Sequence, residues 1–166
     1  MDLLSWLHGV LGGNDWLYTI VISMLPWIEL RGSIPYGILK AGFEPLTVFF
    51  VAFFSNIVVI YPSFVFLDYF FELLNKTPLR RFIEKTQKKA KPYVDRYGML
   101  GLCFFVAVPL PGTGAYSGAL AAHIFGLKNK KAFMSIIAGV FLAAVAVTVI
   151  TLFFRESLGF LIKNLP

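Results

Sequence analysis

The chain has 166 residues, of which 58% are hydrophobic, 17% aromatic and only 14% charged. A soluble domain carries about 25% charged residues, so this composition excludes a single water-facing globule and points to one all-α integral membrane domain. The single cysteine, Cys103, excludes an internal disulfide, and the net charge of +6 is gathered in one segment described below.

Residues 1–13 place Leu3, Leu4, Trp6, Leu7, Val10 and Leu11 at helical spacing. The segment has no basic n-region and no small-residue cleavage site, so it does not read as a signal peptide. The pattern predicts a short interfacial helix ended by Gly12 and Gly13.

Residues 16–28 form an uncharged apolar run. As a helix it rises about 20 Å at 1.5 Å per residue, short of the roughly 30 Å of a hydrocarbon core. The run ends in WIELRGSIPYG, where Glu29 and Arg31 stand two residues apart between uncharged flanks. On a regular α-helix residues at i and i+2 do not face each other, so either the backbone is not helical here or each charge has a partner elsewhere. A re-entrant hairpin meets these constraints: the chain enters partway, turns and leaves on the same side. Ser33 is expected to N-cap the outgoing helix, with Pro35 in its first turn.

Residues 46–67 are uncharged and long enough to span. They carry Asn56, which either lines a path or bonds a neighbouring helix, and Pro62, which should kink the helix. Asp68 and Glu72 follow one turn apart and read as headgroup-level charges. Residues 76–97 then hold eight basic side chains against Glu84 and Asp95, with Leu79, Phe82, Ile83, Ala90, Tyr93 and Val94 as an apolar stripe. Between two membrane segments this is a basic amphipathic helix bound to anionic lipid headgroups on the cytoplasmic leaflet, and not a nucleic-acid arm.

The second half repeats the first in pattern. Residues 98–161 contain an apolar run, a proline, a Gly/Pro break, a short outgoing run, a glycine and a long spanning run, residues 132–154. Pro26 corresponds to Pro109 and Gly42 to Gly126. In the second break Pro111, Gly112, Thr113 and Gly114 make the turn, and Thr113 is expected to cap the outgoing helix. Ala138 with Gly139, and Ala143 with Ala144, offer small residues for close packing. The predicted organisation is a single domain: interfacial helix 1–13, repeat 16–74, basic connector 75–97 and repeat 98–161. One connector between two hairpin-plus-span units inverts the second unit, a frequent transporter design. Two hairpins and two spans put 11 Lys and Arg on one side against three on the other, and four ordinary spans would divide them 10 to 4, so the positive-inside rule leans towards the hairpins and leaves full spans open.

Both outgoing helices would begin deep in the membrane with their N–H groups toward a central cavity. Arg31 adds a full positive charge, which favours a phosphate or carboxylate. Glu29 has three roles open to it: neutralising Arg31, pairing across to the second hairpin, or gaining and losing a proton. His8 and His123 lack metal-ligand spacing and no partner for them is evident in the sequence. No phosphate-binding loop with its lysine is present, and no serine sits in a recognisable triad order. No enzyme, metal or cofactor is therefore expected.

ELRGSIP (29–35) together with PLPGTGAYSG (109–118) resembles the small multidrug export protein family, a compact relative of the DedA-type, or VTT-domain, membrane proteins. The resemblance covers nearly the whole chain. It implies two re-entrant hairpins and spanning helices in an inverted repeat. Its motifs carry over to Glu29, Arg31, Gly32, Pro35, Pro109, Pro111, Gly112, Thr113 and Gly114. The DedA-type relatives are linked to proton-coupled lipid handling. The resulting expectation is a proton- or cation-coupled transporter or flippase of the cytoplasmic membrane. It would form a homodimer and bind a small or lipid-borne anionic group between the hairpin tips, with Ser33 and Asn56 contributing. The alternative is an exporter of lipophilic cations; a lipid-modifying enzyme and a structural lipid-binding protein are further classes.

Overall fold

The computed structural model describes residues 3–74, 85, 88, 97–110, 112–127 and 130–163. Among these residues all regular structure is helical. The helices are α1 (Leu3–Val10), α2 (Asp15–Met24), α3 (Glu29–Pro35), α4 (Pro45–Leu74), α5 (Tyr97–Ala107), α6 (Ala115–Ile124) and α7 (Lys130–Lys163). The basic connector lies outside the described residues except for Lys85 and Lys88, which are exposed. The chain divides into two compact units, residues 1–56 with 143–166, and residues 57–142.

In the first unit, Asn14 caps α2 by accepting from the N–H groups of Trp16 and Leu17 at 3.0 and 3.1 Å. A turn over residues 25–28 leads into α3, which widens into a π-helical turn, Tyr36–Lys40. The widening has a local cause. Pro35 has no N–H to donate to the carbonyl of Arg31, so the regular ladder cannot continue through it. Ser23 meets Ser33 and Tyr18 meets Tyr36, so α2 and α3 with its π turn pack antiparallel. At the open end of this pair Trp16 stacks on Phe43 at 3.8 Å between ring centroids. The Tyr36 hydroxyl donates to Asp15 at 2.5 Å, and His8 Nε2 lies 3.0 Å from the same oxygen. The partner of His8, not evident in the sequence, is thus Asp15. Gly37 admits α4: a Cβ there would stand 2.9 Å from Val48.

In the second unit α5 and α6 meet at Val106 and Gly118, and α7 approaches α5 at Gly139. A Cβ on Gly139 would stand 2.6 Å from the Cys103 carbonyl oxygen, a backbone atom that cannot swing aside. The small residue expected there for close packing is thus in use.

The order short helix, break, short helix, long helix occurs twice along the chain. Each long helix is announced by a left-handed glycine, Gly42 at φ +71° and Gly126 at φ +74°, a conformation open to glycine because it has no Cβ. Glu44 then caps α4, accepting from Thr47 Oγ1 at 2.7 Å and from the N–H groups of Leu46 and Thr47 at 3.0 and 2.6 Å. Pro45 takes the first helical position, where its missing N–H is no loss. Pro45–Leu73 and Lys130–Ser157 are long and apolar enough to cross a membrane. Their exposed residues are themselves apolar, including Phe54, Val58, Tyr61 and Phe66 on α4 and Val149, Ile150 and Phe153 on α7. An apolar outer face of this kind matches hydrocarbon, not water.

Two outcomes follow from these contacts. Alanine in a helix is favoured over glycine by about 1 kcal/mol, but overpacking costs about 1–3 kcal/mol. Gly139→Ala is therefore expected to lower the thermal unfolding midpoint in detergent. Gly101→Ala, with nothing within 4 Å of its Cβ position, should hold or raise it. A raised midpoint for Gly139→Ala would contradict the close approach. Second, hydrogen bonds from Tyr36, and then from His8, hold the Asp15 carboxyl below its ordinary 3.8. A depressed carboxylate lends stability above its unfolded pKa, and that stability is lost as pH falls through the folded value. The α1–α2 junction should therefore be intact at neutral pH and loosen below about pH 4, as read by hydrogen exchange. Asp15→Asn should abolish that acid step.

Candidate functional site

The first break is built around one backbone irregularity. Glu29 opens α3 at φ +50° and is the only non-glycine residue with positive φ among those described. A non-glycine residue held there costs about 1–3 kcal/mol. The twist solves the problem posed by the spacing: Arg31 Nη1 donates to Glu29 Oε2 at 2.7 Å. The pair is shielded, with the carboxylate side chain 5% and the guanidinium side chain 13% exposed. Of the three roles open to Glu29, the geometry displays charge neutralisation of Arg31. Gly32 is required beside it, because a Cβ would stand 2.3 Å from Ile28 Cγ2.

Ser33 does not cap a helix. It lies inside α3, fully buried, 2.5 Å from the Ser23 hydroxyl. The helix begins five residues earlier than expected, with Ile28 and not Ser33 at the N-cap position. The N–H of Glu29 donates to Leu25 and that of Gly32 to Ile28, so these early N–H groups of α3 are already engaged. Pro35 accordingly sits at the end of α3 and not in its first turn. Asn56 joins this cluster from α4: its Nδ2 donates to the Ser23 carbonyl at 2.8 Å. Its side-chain oxygen is buried, and no donor among the described residues reaches it, which is an unusual state for a buried amide.

The second break lies in the other unit. Pro109 and Gly112 are exposed, and Pro111 lies outside the described residues. Gly114 occupies the N-cap position of α6 and has no side chain to cap with. Thr113 does not cap α6; its hydroxyl is shared between the carbonyls of Val108 and Leu110 at 2.6 and 2.9 Å. It pins the loop back onto the end of α5. Gly112 has φ +85°, and it stands at the same offset from Glu29 as Pro109 does from Pro26. The corresponding turn therefore uses glycine where the first break forces a glutamate into the same conformation.

Two features of the second unit escaped the sequence reading. A cavity of about 690 Å³ lies between α5 and α6, walled by Leu102, Phe105, Leu120, Ala121, Ile124 and Phe125. Gly98 and Gly101 on α5 and Ala121 on α6 leave that space, and their spacing on successive turns was the available signal. His123, read as unpartnered, is fully buried and bonded to Asp68 and to the Ala119 carbonyl. The signal was a polar residue in each of two apolar helices, but 55 residues separate them along the chain.

A family model described as "Putative small multi-drug export protein" matches residues 29–146. The chain belongs to that family. The matched region opens on Glu29, directly after the turn of the first break, and contains α3, α4, the second break, α5, α6 and the first half of α7. Membership of an export family, with two helices of membrane-crossing length and composition, marks the chain as a membrane protein. No curated protein and no solved structure matches the chain.

The strained glutamate yields a comparison in which the lost ion pair cancels. Glu29→Gly and Glu29→Ala both remove the carboxylate opposite Arg31, but only glycine relaxes at φ +50°. Glu29→Gly should be the more stable by about 1 kcal/mol in denaturant unfolding. Equal stabilities would mean that residue 29 is not held in the left-handed region.

Proposed function

We propose that this protein is a proton-coupled secondary transporter that exports small lipophilic molecules. The observation that carries the reading is the cavity of about 690 Å³ between α5 and α6, whose wall is almost wholly carbon apart from Ser117 and Tyr97. Such a volume suits a drug-sized molecule held by contact area and not by specific hydrogen bonds. The family's export description agrees with it.

The short helices fit a role within the bilayer. α2 has ten residues, about 15 Å of rise, and the runs flanking both breaks are too short to cross. We take both breaks as re-entrant hairpins in an inverted repeat, with the basic connector on the cytoplasmic side against anionic lipid. A homodimer would add the enclosure that two long helices alone do not provide. Glu29, buried at the first break, is the residue assigned to carrying the coupling proton or cation, since a buried intramembrane carboxylate is costly and seldom idle.

A second reading is favoured by Arg31. Its guanidinium offers a fork suited to a phosphate or carboxylate, and a small or lipid-borne anion that displaced Glu29 from it would release that carboxylate for protonation. Gly32, Ser33, Pro35 and Asn56 shape that site in this reading.

The test is reconstitution in vesicles with an imposed pH gradient and tetraphenylphosphonium as probe. The wild type should move the probe along the gradient, and Glu29→Gln should slow it about tenfold or more while folding is retained. An unchanged rate and unchanged pH dependence in Glu29→Gln would remove Glu29 from coupling. Competition by a short-chain lipid phosphate, weakened in Arg31→Lys, would move the assignment to the anionic reading.

A further inference from the structure

We propose that the junction of α2, α3 and α4 is the binding site of one water molecule, held between Asn56 and the Ser23–Ser33 pair. Ser23, Ser33 and Asn56 are each fully buried. Their donors and acceptors must therefore be matched by one another, by neighbouring protein or by something bound among them.

The matching can be followed hydrogen by hydrogen. The Ser23 carbonyl lies 2.8 Å from Asn56 Nδ2. A carbonyl only accepts, so the amide nitrogen must face it, and the orientation of the Asn56 side chain is fixed. Asn56 Oδ1 is then an acceptor that no donor among the described residues reaches. The two serine hydroxyls bring two hydrogens. One lies between their oxygens, 2.5 Å apart. The other finds no acceptor among the described residues, whichever serine is the donor. The junction thus holds one surplus acceptor and one surplus hydrogen.

The chain's other helical hydroxyls show how unusual this is. Thr19, Ser63, Thr151 and Ser157 each donate to the carbonyl four residues back in their own helix, at 2.6 to 2.8 Å, the ordinary local outlet for a hydroxyl in a helix. Ser23 and Ser33 do not take it; their hydroxyls turn to each other across the junction. The residues four places away towards one end of the junction are small: Thr19 on α2, Gly37 on the π turn and Ala52 on α4, all three buried.

One surplus hydrogen and one surplus lone pair call for a neutral molecule that both accepts and donates. A water accepts the spare serine hydrogen, donates one hydrogen to Asn56 Oδ1 and has a serine lone pair open to its second, which makes about the three bonds usual for a buried water. A cation would face the serine hydrogen, and an anion would face the Oδ1 lone pairs; each would leave one group worse matched than before. The bound water completes the tie of α3 to α2 and α4, four residues along α3 from Glu29. The site does not rest on the transport reading.

The test is a crystal structure of the whole chain grown from a lipid phase, at a resolution that shows ordered water. A single peak is expected within about 2.6–3.2 Å of Asn56 Oδ1 and of a Ser23 or Ser33 hydroxyl oxygen. It should be lost in Asn56→Leu, which has a similar volume and neither donor nor acceptor. Three results overturn the proposal. The first is Oδ1 bonded directly to a protein hydroxyl of Ser23, Ser33 or Thr148, whose own buried hydroxyl has no partner among the described residues. The second is a junction without a peak in the wild type, or a peak unchanged in Asn56→Leu. The third is an anomalous peak at the junction in crystals grown with thallium(I) in place of sodium, which would make it a cation site. The wild-type crystals decide the matter even if Asn56→Leu does not fold.

Discussion

The arrangement of the first break depends on an ion pair that regular helix geometry forbids. Glu29 and Arg31 are two residues apart, and they meet at 2.7 Å because Glu29 adopts φ +50°. A buried guanidinium without a counter-charge costs several kcal/mol, which exceeds the 1–3 kcal/mol of backbone strain. The strain is thus the lesser of two penalties. Its consequence is geometric: it starts α3 at residue 29, puts Ser33 inside the helix, and carries Pro35 to the helix end, where the ladder opens into the π turn.

The same economy of reach governs the polar contacts around it. Ser33 bonds Ser23, and the carbonyl of Ser23 takes the Asn56 amide. Three small polar groups therefore hold α2, α3 and α4 together where no long side chain would fit. Glycines do the complementary work. Gly37 lets α4 approach the π turn, and Gly118 and Gly139 let α6 and α7 approach α5. Between helices that gain little from the hydrophobic effect in lipid, close backbone approach and short hydrogen bonds are the main sources of specificity.

The two charged pairs differ in setting. In Glu29–Arg31 the guanidinium keeps its proton and both side chains are shielded, whereas in His123–Asp68 the ring is fully buried and the carboxylate side chain is 59% exposed. Each pair has at least one member on a short helix that follows a chain break.

Much of the local structure was legible in the sequence. The two long apolar runs are helices of spanning length, Gly42 and Gly126 mark the entries to them, and the motifs around Glu29 and Gly112 place the chain in its family. These features depend on composition and on the conformational freedom of single residues, which are local properties. The caps were misassigned because Ser33 and Thr113 are good capping residues by type, and only the surrounding backbone decides whether a helix starts at them. His123 and Asp68 stand 55 residues apart, and neither has a pattern around it that names the other. The sequence by itself determined an all-helical membrane chain with two broken segments and the residues that break them. The tertiary structure alone decided which charges meet, which hydroxyls cap and where the apolar cavity lies, because hydrogen bonds and close packing act over a few ångströms in space irrespective of separation along the chain.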